Sequence, residues 1–409
     1  MPAMANRLGR VAMAAAMFAF PLYAQSSRDS AGVLIVENAG PSWSDNERLW
    51  LAPKPRLVIG NSNDSSYRFR QVRGVMLFTD GRIAVADGGS LQLRVFSPQG
   101  RFLSASAGKG NGSGQLRNMQ WVRRLRGDTI AISSGFSTLA LYSNSGQFVR
   151  MTGLPPRTND IPDGRLLLLT VLNNGLRVAA PLPNPAPRSL GSRWTDSLAL
   201  KLVTESNHIV RELGTFPYIE LDQVKSGPTP VWLSALGVVA GGDDRFYVGF
   251  GDRYAIRVYT DNGKLQSIIR RSWTPTPITP ADWEQWVVEW SKLWVKTAGA
   301  ERERDVQEVR ESPWAEELPA FTQFIVDLSG RLWVRGAHWQ DAIGAGSLSD
   351  TPAVASTWSV FDVRGRWLGD LSMPTGFQPF EIGTDYVTGI LRTDGVNQVV
   401  IYDLSVRSH

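Results

Sequence analysis

Among 409 residues there is no cysteine, there are three histidines, and no apolar run after position 20 is long enough to span a bilayer. Each absence removes something. Without cysteine the chain has no disulfide staple, no thiol nucleophile and no lipidated anchor residue. With histidine only at 208, 338 and 409, the last of these terminal, zinc chemistry or a Ser-His-Asp relay would lean on two isolated imidazoles. Neither a Gly-x-Ser-x-Gly elbow, a phosphate-loop lysine signature nor a His-Glu-x-x-His pair occurs, so the common hydrolase and nucleotide motifs have no foothold. An excess of one charge is also lacking. The 43 basic residues face 38 acidic ones and form no dense stripe, which argues against a nucleic-acid partner.

What is present starts with a leader. Arg7 and Arg10 precede the apolar run 11–20, followed by Pro21 and the tripeptide Leu22, Tyr23, Ala24. The run is about half the length of a membrane-spanning helix, and no acid appears before Asp29, so residues 1–24 read as a cleavable signal peptide rather than a core helix. The expectation is an exported chain, periplasmic or extracellular, whose mature part 25–409 is a single monomeric domain with no membrane span. Without Arg7 and Arg10 the balance is 41 basic to 38 acidic, a net of +3.

The stretch 79–103, TDGRIAVADGGSLQLRVFSPQGRFL, holds apolar alternation at Ile83, Val85, Leu93 and Val95 between the turn pairs Asp80-Gly81 and Gln99-Gly100. That is hairpin chemistry: glycine takes the positive φ of a tight turn, and a neighbouring Asp or Asn bonds its own backbone. The phrase recurs, at 127–149, then at 162–166 with 200–210 after a long interruption, at 244–265, at 330–334 with 360–368, and at 385–403, where it stops one strand short. Residues 56–60 parallel the last strand of the first copy and can supply the missing one. Six copies, the last completed from the front of the chain, predict an all-β, six-bladed β-propeller closed by N- and C-terminal strands sharing one blade. Two packed β-sandwiches are the alternative, and they would not need the repeated phrase.

Val85, Ala86, Asp87, Gly88, Gly89, Ser90, then Leu93-Arg94-Val95-Phe96 and Gly100-Arg101-Phe102, with the glycine run 108–114 before Gln115-Leu116, resemble the NHL-repeat phrase and the bacterial six-bladed propellers related to it. The resemblance covers about 72–120. Ser90 stands where those repeats usually carry Asn, and Gln92 where they carry Arg. The glycine run between two strands opens no helix and reads as a loop, not a phosphate cradle.

Turns of the Asp-Gly kind are short, whereas the segments 171–198 and 336–357 and the connection 272–319 are long. All the elaboration is therefore expected on one face of the wheel, and long loops on a rigid scaffold commonly carry recognition. Within 272–319, Thr279-Pro280-Ala281-Asp282 offers a helix cap, and Trp283, Trp286, Val287, Trp290, Leu293 and Trp294 recur at helical spacing. This predicts a helix over 280–297, a second over 301–311, and a partial lid on the ring opening. Trp286 and Trp290 are candidates to wall a flat or sugar-like ligand, though burying an apolar stripe is the commoner use of such spacing.

Candidate ligand contacts on the long-loop face are Asp252, Arg253 and Tyr254 in one loop and Arg335, His338 and Trp339 in another, since Arg and aromatic side chains suit recognition surfaces. No cofactor is expected. Calcium is the metal such a fold could take, because propeller lactonases of the gluconolactonase type hold it through Glu, Asn and Asp at the ring axis. That resemblance brings forward Asp87, Asn173, Asn174 and Asp252, although no spacing makes them converge and turn capping is the commoner duty. The sequence thus points to a non-catalytic binding module for a small molecule, glycan or protein. The alternative is a metal-dependent lactonase-like hydrolase or a lyase at the axial opening.

Overall fold

Asp327 shows how the repeated phrase folds. Its Oδ1 accepts from the backbone N–H of Ser329 and of Arg331, both at 2.9 Å, while Oδ2 accepts from Arg331 Nε at 2.7 Å and from the buried Trp333 Nε1 at 2.9 Å. Asp362 repeats the arrangement toward Arg364 and Arg366. Gly365, at φ +82°, takes the left-handed position these turns need, and a Cβ there would meet Ile269 Cγ1 at 2.7 Å. The repeated Asp and Gly are thus backbone devices.

A computed structural model describes residues 25–406 apart from 45–46, 61, 63, 154–165, 207, 340–354 and 394. The leader 1–24, the Asp163-Gly164 turn and His409 lie outside the described residues. The described chain is mostly strand, gathered in small antiparallel sheets, with two helices. Sheet I comprises Val72–Leu77, Ile83–Asp87, Gln92–Phe96 and Phe102–Ala107, and sheet II comprises Val122–Leu125, Thr129–Ser134, Thr138–Tyr142 and Phe148–Gly153. Sheet III adds Leu166–Val171, Arg177–Pro181, Arg193–Val203, Ile209–Val224 and Gly227–Pro230. Sheet IV contains Gly237–Gly241, Arg245–Phe250, Ala255–Thr260 and Leu265–Arg271, and sheet V contains Gln323–Val326, Leu332–Arg335, Ser356–Phe361 and Trp367–Met373. Sheet VI has Phe377–Ile382, Tyr386–Thr393 and Val396–Val406, and to the last of these pair Leu57–Ile59 (Ile59 opposite Val399) and Leu49–Leu51.

The core is divided between neighbouring sheets. Ala84 and Leu93 of sheet I pack on Ile130 and Tyr142 of sheet II, Leu139 on Leu168 of sheet III, and Leu202 on Phe246 of sheet IV. Ile256 meets Val334 of sheet V, Trp358 meets Val400 of sheet VI, and Ile401 meets Val85 of sheet I. Alternation along each strand feeds both faces, because each sheet is covered on both sides. Each such side chain contributes roughly 1.5–3 kcal/mol by leaving water.

Two segments depart from the sequence reading. Residues 171–198 are not one long loop. They hold the strand Arg177–Pro181 and the first half of Arg193–Val203, so Asn173 to Gly175 form the tight turn and the open connection shrinks to 182–192. The sequence conceals this small buried strand, because Asn-Gly precedes it and prolines follow. Nor does the described chain begin in its last sheet. Gln25–Ser30 and Val33–Asn38 come first and join the outer edge of sheet IV, Val33–Asn38 running parallel to Leu265–Arg271.

From there the chain crosses sheet V, where Trp43 N–H donates to Leu368 O at 2.8 Å and the Trp43 ring lies against Gly369, before reaching sheet VI. Asn38 pins this strap. It is 2% exposed, its Nδ2 donates to Arg270 O at 3.0 Å and Gly365 O at 3.1 Å, and its Oδ1 accepts from Trp367 N at 2.8 Å. Asn38→Leu would leave these buried backbone groups unpaired, and a loss of about 2–3 kcal/mol is expected in urea unfolding. A change under 0.5 kcal/mol would refute the pinning role.

Candidate functional site

Antiparallel sheets have two ends. The turns of Asp80-Gly81, Asn173 to Gly175 and Ser329-Gly330 lie at one, and the loops that follow Asp87, Phe250 and Arg335 lie at the other. The helical insertion belongs to the second end. Thr279 and Asp282 close a capping box, with Asp282 N donating to Thr279 Oγ1 at 3.2 Å and Thr279 N to Asp282 Oδ2 at 2.8 Å. Helix α1 then runs Pro280–Trp294 and helix α2 Gly299–Arg310, tied by Glu284 to Arg310 at 2.7 Å.

Trp283, Trp286 and Trp290 of α1 face inward. Trp286 is fully buried between Trp283, stacked at 4.8 Å, and Trp232 at 5.0 Å, in a cluster with Val231, Leu233 and Leu318. Trp286 therefore does not wall an open ligand site, because the stripe is spent on holding the insertion down. Trp290 is half-buried beside Trp232 at 5.8 Å, and Trp339 packs on the same cluster, with exposed His338 stacked on it at 6.0 Å. Arg335 ends its strand opposite Gln323 and Trp358.

Asp252, Arg253 and Tyr254 are brought together in a groove that Arg335, His338 and Trp339 do not line. The first three form the turn between Arg245–Phe250 and Ala255–Thr260, and the groove, of about 620 Å3, lies at the outer corner of sheet IV. Its other walls are Glu37 from the strap and Arg257, Arg270, Arg271 and Trp273. Tyr254 is 6% exposed, its ring set edge-on to Phe321 at 5.5 Å, so it forms the floor of the groove. Arg271 lies 3.6 Å from the centre of the Trp367 ring and bonds Asp370 at 3.3 Å. Arg270 bonds Glu37 at 3.0 Å. Arg253 is 71% exposed with its nearest carboxylate, Asp252, 3.9 Å away, and Arg257 stands over Phe216 at 5.1 Å. Burial pushes the Asp252 carboxyl above the usual carboxylate range. Glu220 on the sheet III ribbon is also pushed up, by burial and then by Asp252, against the pull of Arg193.

The four metal candidates are not brought together. Asp87 is buried at the long-loop end, where it accepts from the N–H groups of Arg70 (3.3 Å), Gln71 (3.0 Å) and Gly89 (3.1 Å) and from Ser90 Oγ (2.9 Å), and it pairs with Arg94 at 3.4 Å. Those donors occupy the oxygens a cation would need. Asn173 and Asn174 lie at the opposite end. Asn173 bonds Arg126 N and Asp243, and Asn174 caps its own turn at Leu176 N. No group of three His, Cys, Asp or Glu is placed to hold a metal ion among the described residues.

At the tight-turn end a second hollow of about 510 Å3 has Arg124 and Tyr386 in its lining, with Leu57, Phe78 and Leu328. Beneath it Glu381 Oε1 accepts from Tyr386 Oη at 2.8 Å and Leu77 N at 3.0 Å and pairs with Arg124 at 3.3 Å, while Arg124 Nε donates to Asp128 at 2.9 Å. Burial outweighs these partners and raises the Glu381 pKa. The adjacent Arg123, pushed down to about 10 by burial, donates to Val171 O and Gly242 O, so this pair of arginines joins the edge strand Val122–Leu125 of sheet II to neighbours on both sides. Arg257, Arg270, Arg271, Glu37 and Glu381 carried no sequence signal. Glu37, Glu381 and the Arg257 to Arg271 stretch are far apart in the chain, and the Arg270-Arg271 pair sits at a strand end with no motif around it.

No family model matches the chain, and no curated protein matches it. Solved structures do. A member of the DUF4221 family from Bacteroides vulgatus aligns at a TM-score of 0.52 with 8% identity, over 89% of this chain and 100% of that one. A candidate exported protein from Bacteroides fragilis aligns at 0.46 with 12% identity, over 91% and 99%. The Swd1 β-propeller domain from Myceliophteria thermophila aligns at 0.38 with 8% identity, over 86% and 99%. The mostly-strand architecture in many small sheets fits a β-propeller, and at these identities the likeness concerns fold alone.

Proposed function

We propose that the protein is an exported six-bladed β-propeller, related to the NHL-type propellers, that serves as a recognition module and holds its ligand in the groove beside Asp252, Arg253 and Tyr254. Supporting the wheel are the six cores shared between successive sheets, the last joining sheet VI to sheet I, and the pairing of Leu57–Ile59 with Val396–Val406. Supporting export to the periplasm or beyond is the leader composition, Arg7 and Arg10 before the apolar run 11–20. No helix among the described residues is long and apolar enough to cross a membrane.

One observation carries the binding role: four guanidinium groups and an indole converge on one concave corner. Convergent polar groups in a concavity are the usual mark of a ligand site. The test is an array of glycans and small metabolites probed with the full chain and with Arg253→Ala. At least one ligand should be retained, weakened several-fold by the substitution and recovered chemically unchanged. Retention unaffected by Arg253→Ala would remove the groove from the reading. Recovery of a cleaved or eliminated product would replace the binding module with the second reading, a hydrolase or lyase, which the buried Glu381 beneath the opposite hollow favours.

A further inference from the structure

Not all of the groove's charges are available. Arg271 is held by Asp370 and by its stack on Trp367, and Arg270 by Glu37 from the strap. Neither can turn toward a newcomer without giving up a partner. Arg253 and Arg257 remain. The first is 71% exposed, with Asp252 at 3.9 Å, beyond hydrogen-bond distance. The second has no ion pair among the described residues and is steered by its stack on Phe216 rather than by a carboxylate. Both stand on sheet IV, in the turn and the strand that follows it, and both line the groove.

The negative side of the ledger is weak. Glu37 is spent on Arg270, which leaves Asp252 and Glu220 as the corner's remaining carboxylates, each holding its charge less firmly than a fully solvated acid. Glu37 also shows what the corner accepts: a carboxylate oxygen 3.0 Å from a groove guanidinium, contributed by the chain itself. Guanidinium groups favour planar and tetrahedral oxyanions because their N–H donors lie in a fixed fork.

Resting on the groove being the recognition site, we propose that its ligand is an anion, bound through a carboxylate or phosphate group between Arg253 and Arg257. Asp252 then acts as the opposing charge that keeps the empty groove from binding indiscriminately. Neutral molecules are disfavoured, since they would leave the two guanidinium groups without counter-charge as water is displaced.

The experiment is a calorimetric titration of the full chain at low ionic strength with three probes: trigalacturonate for carboxylates, inorganic pyrophosphate for phosphates and maltotriose as the neutral control. Trigalacturonate or pyrophosphate should bind, whichever does so naming the source, and maltotriose should not. Arg253→Gln should weaken the charged probe about tenfold, and the Arg253→Gln/Arg257→Gln pair should abolish binding. Arg257→Lys, which keeps charge and stem should the glutamine variant fold poorly, should lose less than Arg257→Gln. Asp252→Asn should tighten binding several-fold, and 0.5 M NaCl should weaken it.

Maltotriose bound in the groove, with the double variant unchanged, would overturn the anion assignment while leaving recognition in place. Charged probes bound equally by the double variant would overturn it by moving the anion site elsewhere. Failure of both charged probes would overturn it too, and array ligands still lost on Arg253→Ala would show that the groove itself survives.

Discussion

Arg124→Ala should cost about 3–5 kcal/mol of stability at pH 7, most of it recovered on acidification. The reason is the carboxyl left behind. Arg124 is the only cation within ion-pair distance of Glu381 among the described residues, and Glu381 is 8% exposed, with Tyr386 and the Leu77 N–H as its remaining partners. Its pKa in the folded protein already lies above the ordinary glutamate value of 4.5, burial being the largest cause. For an acid raised in this way the folded state binds the proton more tightly than the unfolded one. Stability from this group is therefore complete below about pH 4.5 and declines as pH rises through the folded value. Removing the guanidinium raises that value further, so the variant's deficit should be large at pH 7 and small near pH 4.5, with urea unfolding at both pH values as the measurement. Arg124→Met combined with Glu381→Leu should recover most of the loss at pH 7, because an apolar pair carries no uncompensated charge. Equal deficits at both pH values would contradict the account.

Trp286→Ala should be of similar size, about 3–5 kcal/mol, but confined in space. Trp286 is fully buried, yet its neighbours Trp283, Trp290, Trp232 and Leu318 belong to the insertion and the strand-free stretch before sheet IV. The insertion has a core of its own, and such units open without the rest. Hydrogen exchange should show the amides of α1 and α2 losing protection while Leu332–Arg335 and Ser356–Phe361 keep theirs. Trp358→Ala, equally buried but set between sheets V and VI, should instead lower protection across the chain. If Trp286→Ala loosened sheet V as much as the helices, the insertion would have to be counted as part of the main core.

These contrasts show where the sequence is readable. The Asp-Gly turns are legible because both residues serve the local backbone, as Asp327 and Gly365 do. Helix α1 is legible for the same reason: Thr279, Pro280 and Asp282 act within one turn, and the observed helix starts where they predict. Its C-terminal end falls three residues short of the expectation, where Arg302 of α2 donates to the Ser291 and Val295 carbonyls, a contact with no local signal. Arg177–Pro181 was lost because its neighbours advertise turns at both ends. Gln25–Ser30, polar throughout, is a strand only because Val33–Asn38 pairs with it. The groove was half legible. Asp252, Arg253 and Tyr254 are contiguous, whereas Glu37 and Arg270 meet across 233 residues through a parallel pairing that no local pattern encodes.

The strap has a consequence for the order of events during synthesis. Arg56 leaves the ribosome long before Asp403, yet the two are ion-paired partners 347 residues apart, and Asn38 waits almost as long for Gly365. Loop-closure entropy grows slowly with length, but contacts so distant in sequence are slow to form. Until the last hundred residues emerge, Leu49–Leu51 and Leu57–Ile59 have no edge to join, while Val33–Asn38 can already lie beside Leu265–Arg271. The two ends of the strap are thus fixed at different times, and the sheet that receives Leu57–Ile59 is finished last.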